Sequence, residues 1–311
     1  MKKYFISFIN FLLLLGLLTG CTSNKDMEVV NESGYAIYEI GGGTLDMEVD
    51  INHQYETKSS IQVLQDDSVP RSRTISLFGK EYDLEYKETH YFTIGDYTRH
   101  RYIATNAVDM DPDYVYSPDD QYDRRPSVMF LDGTDQPIGF SAFYFTSIEM
   151  TDTMTEEDIF DAVEEAMSEY VDFSQYTETS VYRSVPEYGP YYLTWKKKAG
   201  DYYLGNQIEV SLNEDGRIWY FEIVAPPTPG TEEPSADTIS AISEESTNAL
   251  LDSRLHQIYD TETCELVDYD IARKRYTRYE GKDSIYYQVD VEAELDGEEY
   301  LDQTYLLITL E

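Results

Sequence analysis

The chain has 311 residues, with 61 aspartates and glutamates against 23 lysines and arginines, for a formal net charge of −38. A field of that sign repels nucleic acid and anionic headgroups and favours cations and basic partners, so no nucleic-acid partner is expected. Only two cysteines, Cys21 and Cys264, are present, which leaves no disulfide framework.

Lys2 and Lys3 open the chain, and Phe5 to Leu18 is apolar except for Ser7, Asn10 and Gly16. This is the charged start and apolar run of a secretory signal. It is short for a spanning helix, which needs roughly 20 apolar residues. Leu18-Thr19-Gly20-Cys21 resembles the lipobox of bacterial lipoproteins. The resemblance implies lipid attachment at the Cys21 thiol, cleavage before Cys21, and anchoring on the extracytoplasmic face of the cell membrane. Residues 1–20 are then a lipoprotein signal peptide. Residues 21–45, polar and carrying Gly41-Gly42-Gly43, read as a flexible tether in which Tyr35 to Ile40 could pair as a strand.

Residues 46–150 read as a mainly β domain. Tyr82 to Tyr86 alternates with period two, and Ser127 to Leu131, Asp132-Gly133 and Ile138 to Phe145 read as a hairpin. Thr155-Glu156-Glu157-Asp158 predicts a helix start of the capping-box kind, followed by Ile159, Val163, Ala166, Met167 and Tyr170 on one face. Strands are expected at Tyr191 to Lys197, Gln207 to Leu212 and Arg217 to Val224, with a turn at Asn213-Glu214-Asp215-Gly216. Residues 226–236 form a Pro-rich linker. A helix is then expected over Ile239 to Ile258. Strands at Ser284 to Leu295 and Tyr300 to Leu310 follow, joined by Asp296-Gly297. The expected fold class is α+β: tandem helix-plus-antiparallel-meander modules, 151–225 and 237–311, preceded by a mainly β N-terminal domain.

Thr155-Glu156-Glu157-Asp158, Leu193-Thr194-Trp195-Lys196-Lys197, Gly200, Gln207 to Leu212 and Asn213 to Ile218 together resemble the PepSY and YcdB/YcdC-type repeats of exported bacterial proteins. The resemblance covers roughly 151–224 and echoes in 237–311, where the tryptophan and the Asn-x-Asp-Gly turn are missing. It implies a binding or inhibitory module without catalytic residues, and hence a protein or peptide partner at the cell envelope.

The residues themselves offer little chemistry. Gly-x-Ser-x-Gly, His-Glu-x-x-His, Cys-x-x-Cys and phosphate-loop motifs are all missing, so no enzyme is expected. His90 and His100 read as histidines on a half-wet strand. Cys264 reads as a small buried residue. Asp109, Asp111, Asp113 and Asp120 have the Asp-x-Asp-x-Asp spacing of a calcium loop, with Asp120 at the twelfth position. Tyr114 at the sixth position, where such a loop needs glycine, favours a solvated acidic loop instead. Tyr188, Tyr191 and Tyr192, with Tyr202-Tyr203, could form an aromatic platform for sugar or peptide, or cover sheet surface. Two functions follow: a partner-binding envelope protein, or a sensor or adhesion module for a cation or glycan.

Overall fold

The computed structural model describes residues 34–40, 57–58, 61–105, 126–151, 153–185 and 188–310. Period-two alternation has become strand almost wherever it occurs. The elements begin with β1 (Tyr35–Ile40), β2 (Thr57–Lys58), β3 (Ile61–Leu64), β4 (Ser72–Leu77), β5 (Lys80–Phe92), β6 (Tyr97–Ala104), β7 (Ser127–Leu131) and β8 (Pro137–Ser147). Helix α1 (Glu156–Met167) precedes β9 (Tyr176–Val185), β10 (Tyr188–Ala199), β11 (Tyr202–Leu212) and β12 (Arg217–Val224). Helices α2 (Ala236–Ser240) and α3 (Glu244–Tyr259) precede β13 (Cys264–Tyr279), β14 (Lys282–Leu295) and β15 (Glu298–Leu310).

Strand takes 58% and helix 16%, and all fifteen strands join in one mixed sheet. This corrects the expected α+β class of helix-plus-meander modules behind a β domain: the protein is mainly β, with three α-helices among the described residues. The reason is pairing over long sequence distances, which local periodicity does not carry. β12 takes β8 as its antiparallel neighbour, with Phe221 opposite Phe140, and β1 takes β15, with Ile37 opposite Ile308. Neither helix-and-strand group closes a sheet of its own. Tyr35–Ile40, the stretch of the tether expected to be able to pair, is a mostly buried strand paired with β15.

Two large cores form on this sheet, beside a small third cluster of Ile40, Tyr279 and Leu307. In the first, α1 covers β5 to β12. Thr155 caps α1 by accepting from the Asp158 amide at 3.2 Å, while Asp158 accepts from the Thr155 amide at 2.7 Å. The reciprocal pair is the expected capping box, and three acids in the first turn suit the helix dipole. Ile159, Phe160, Val163 and Met167 are buried. Trp195, only 1% exposed, has Phe160 and Phe173 at 4.9 Å between ring centroids, and its indole N–H donates to Glu164 at 2.7 Å. In the second core, α3 puts Leu250, Leu251, Leu255 and Ile258 against Val289, Val291 and Ala293, while Asp290, Glu292 and Glu294 lie on the outer face.

The expected helix over Ile239 to Ile258 is two helices. Ser243 breaks it by capping α3, accepting from the Ser246 amide at 3.2 Å, and Glu244 and Glu245 supply the acids of a fresh first turn. The hairpin turn at Asp296-Gly297 has positive φ at both residues (52° and 85°), the two-residue geometry that Asp-Gly favours. Gly216 is also required: its φ is +82°, and an added Cβ would lie 2.2 Å from the Ile148 carbonyl oxygen.

Cys264 is buried at the start of β13, and burial pushes its thiol pKa up, with the Asp260 and Asp302 charges adding to the effect. Its thiol is therefore expected to resist iodoacetamide in the folded protein and to react fully in denaturant; equal rates in both would contradict this packing. Trp195→Ala is expected to cost about 3–5 kcal/mol of stability, the range for deleting a large buried aromatic, read from urea unfolding followed by circular dichroism.

Candidate binding cleft

The sheet is continuous but narrow at one place. β11 and β13 meet at a single parallel register pair, Leu204 with Tyr276. Away from it the two strands bound a cleft of about 460 Å³. One wall is the face of β9, β10 and β11 turned away from α1. Strand alternation puts Leu193, Trp195, Ile208 and Val210 into the core and leaves Ser180, Thr194, Lys196, Gln207 and Glu209 on the cleft side. The other wall is Ile271 to Arg275 of β13.

A β-bulge aims that second wall. β13 pairs Ile271 with Val289 and then Arg273 with Gln288, so Ala272 is the extra residue. One extra residue inverts which side chains face which way. Asp270 lies opposite Asp290 before the bulge; Arg273 and Arg275 lie opposite Gln288 and Tyr286 after it, on the same outer face. Lys274 is sent to the other side, where it pairs with Glu244 at 3.1 Å and lies over the rings of Tyr276 and Tyr287.

Lys196, Arg273 and Arg275 therefore share the cleft, and among the described residues no carboxylate lies within ion-pair distance of any of them. Their sequence neighbours differ: Lys197 pairs with Glu233 and Lys198 with Glu178. Burial lowers the Lys196 pKa, and the positive charges of Arg275 and Arg273 lower it further. Burial also lowers that of Arg275, with Arg273 adding to it and Glu209 opposing it. The cations thus repel one another, in a chain where carboxylates are in large excess.

Glu209 is the carboxylate on the cleft wall. Burial raises its pKa, Glu222 opposite it on β12 raises it further, and Arg275 and Arg273 pull the other way. Behind it, Glu222 is held by an ion pair with Arg99 and by the Tyr220 hydroxyl. Arg99 also lies over the Phe92 ring, 4.5 Å from its centroid. Gln207, 3% exposed, donates its amide to Glu209, while its Oε1 is buried without a hydrogen-bond partner. A buried acceptor left open costs free energy unless something donates to it.

Of the tyrosines considered from sequence as a platform, Tyr203 lines this cleft, while the other candidate site residues lie elsewhere. Cys21 and Asp109, Asp111, Asp113 and Asp120 fall outside the described residues, as does the Tyr188 side chain. Among the described residues no group of His, Cys, Asp and Glu is arranged to hold a metal ion, and no helix is long and apolar enough to cross a membrane. Tyr191 and Tyr192 are not brought together. Tyr191 packs against the first core beneath Arg183, whose guanidinium is 4.3 Å from the ring, and Tyr192 lies beside Tyr182 at 5.9 Å. His100 is a satisfied core histidine: Nδ1 is 2.9 Å from Thr89 and Nε2 is 2.8 Å from Asp132. His90 sits between Glu88 and Arg99, its pKa lowered by burial. Sequence reasoning missed the cleft residues because Arg273-Lys274-Arg275 reads as a solvated charge run until the bulge divides it. No family model, curated protein or solved structure matches the chain.

Because the folded-state pKa of Glu209 lies above its ordinary 4.5, ionising it disfavours the folded state. That cost is absent at low pH, sets in as pH rises past the unfolded value, and is complete above the folded one. Glu209→Gln is therefore expected to raise the thermal midpoint at pH 7 and to change it little at pH 4. A lower midpoint at pH 7 would refute the raised pKa.

Proposed function

We propose that this chain is a non-catalytic binding protein, held on the extracytoplasmic face of a cell membrane by lipid on Cys21, which recognises a protein or peptide partner at the cleft between β9–β11 and β13. The observation that carries this reading is the convergence of Lys196, Arg273 and Arg275 without a paired carboxylate, in a chain of net charge −38. Three cations drawn together with no carboxylate at ion-pair distance among the described residues, and with Glu209 and Glu178 acting only from further off, raise the energy of the free protein, and a complementary partner relieves that cost.

A further feature supports it. β9 is hydrogen-bonded to β10 alone among the described strands, and its Ser180 also lines the cleft. An extended segment can add to such an edge through main-chain hydrogen bonds while its side chains enter the adjoining space. The lipid assignment rests on Leu18-Thr19-Gly20-Cys21, and acyl chains at about 0.8 kcal/mol per buried CH₂ would hold the folded part at a membrane surface.

Metabolic labelling with an alkyne fatty acid is expected to tag the wild-type chain and not Cys21→Ser; equal labelling would refute the anchor. For the cleft, the full chain in neutral detergent serves as bait for envelope proteins, with Ser180→Trp as the steric control. The tryptophan fills the mouth of the cleft and leaves its charges in place. Retention of the principal partner is expected to fall about tenfold or more, as when an interface centre is blocked. Unchanged retention would move the binding surface elsewhere.

A further inference from the structure

We propose that the cleft is an oxyanion site, in which a carboxylate of an acidic peptide segment sits among Lys196, Arg273 and Arg275 and replaces Glu209 as their counter-charge. This rests on the cleft being the partner surface, and it names the chemistry of what the partner presents. Two guanidinium groups offer the planar paired donors that match a carboxylate, and Lys196 adds a third, adaptable cation. Arg273 is exposed on one wall, while Arg275 and Lys196 are half-buried, so the positive charge runs from solvent into the cleft.

Gln207 separates a peptide from a bare anion. Its amide N–H is committed to Glu209, which fixes the orientation and leaves Oε1 as a buried acceptor without a hydrogen-bond partner. An ionised small carboxylate has no donor to satisfy it, and inorganic phosphate offers only its own O–H. A peptide carries a backbone N–H within a few ångströms of each acidic side chain, and so brings a donor for that acceptor, which a small turn of the Gln207 amide would present, together with a carboxylate for the cations. Ser180 and Thr194 add hydroxyl groups on the same wall. The charge of the whole chain argues for one or two acids rather than a long polyanion, which the surrounding carboxylates would repel.

Glu209 makes the site self-competing. The charged and titratable groups around it are Glu222 and Tyr220 from β12, Arg99 from β6 behind Glu222, Tyr97 from β6, Lys196 from β10, and Arg273 and Arg275 from β13. An incoming carboxylate meets the same arginines that Glu209 now attracts and is repelled by Glu209 itself. Removing that negative charge while keeping the shape should strengthen binding, whereas a purely structural Glu209 would leave it unaltered or weaken it.

The test is calorimetric titration of the full chain in neutral detergent with an acetylated, amidated Gly-Glu-Gly-Glu-Gly peptide, which carries two acids. Its Gln-for-Glu counterpart and inorganic phosphate form separate arms. The acidic peptide is expected to bind and the neutral one to give no heat. The double substitution Arg273→Ala/Arg275→Ala is expected to weaken binding about tenfold or more, and Glu209→Gln to tighten it several-fold, given the strength of hydrogen bonds to charged groups. If the double variant loses its native circular dichroism, Lys196→Gln alone is read in its place, with the same direction expected. Binding of the neutral peptide as tightly as the acidic one would overturn the oxyanion assignment. Phosphate binding as tight as the peptide's, with competition between them, would overturn the peptide assignment. Weaker binding by Glu209→Gln would overturn the displacement. Should Ser180→Trp abolish partner retention while no acidic peptide binds, the docking surface stands and the oxyanion chemistry alone falls.

Discussion

Leu204 and Tyr276 form the one register pair through which the β9–β12 strands and the β13–β15 strands become a single sheet, and the rest of the architecture depends on that close approach. Beside this pair, glycines let the neighbouring backbones come close. An added Cβ at Gly205 would lie 3.0 Å from the Thr277 hydroxyl, and one at Gly95 would lie 2.7 Å from Ala225. Around the contact, the Gly95 amide donates to the Arg278 carbonyl at 2.8 Å, and Asp96 accepts from the Gly281 amide at 2.9 Å and the Tyr91 hydroxyl at 2.9 Å. The joint thus combines these hydrogen bonds with the packing of Leu204, Tyr202 and Ala199 of the first strand group into the second core. Each core keeps its own helix, and the sheet can part beside the joint to leave a cleft.

The cleft inherits its charge from a single extra residue. Without the Ala272 bulge, β13 would keep the parity of Asp270 and present Lys274 on the outer face, with Arg273 and Arg275 turned to the helix side. With it, Lys274 finds Glu244 and two aromatic rings, while the arginines meet Lys196. Bulges commonly re-aim a side chain at a working surface, at the expense of one ladder pairing. The outer face of the β13–β15 strands is consequently polar in two senses. Arginines lie at one end, and Asp268, Asp270, Asp290 and Glu292 line a separate acidic recess at the other. A partner segment with its own charge pattern would meet an oriented field rather than a uniform one.

Local signals were legible where one short stretch of chain supplies the whole interaction. Thr155 and Asp158 are three residues apart and cap each other; Asp296-Gly297 makes its turn unaided; Val289, Val291 and Ala293 alternate with acids and face the core. The helix expected from Ile239 to Ile258 failed for an equally local reason, since Ser243 followed by Glu244 and Glu245 is a stronger start signal than the apolar spacing around it. The tyrosine platform came apart by strand period: Tyr191 and Tyr192 are adjacent, so they face opposite sides, one toward the first core and the other toward Tyr182.

By itself, the sequence determined many of the strand-forming segments, though not β9 or β13, together with the α1 cap, the Asp-Gly turns, the burial of Cys264 and the acidic field, because each depends on residues within a few positions or on composition. Only the tertiary structure decided that β8 meets β12, that β1 closes on β15, and that Lys196, Arg273 and Arg275 face one another across a cleft. Strand partners are chosen by packing among many segments of nearly equal apolar pattern, and a one-residue bulge inverts a strand's faces. Pairing and facing are therefore properties of the assembled sheet rather than of any stretch within it.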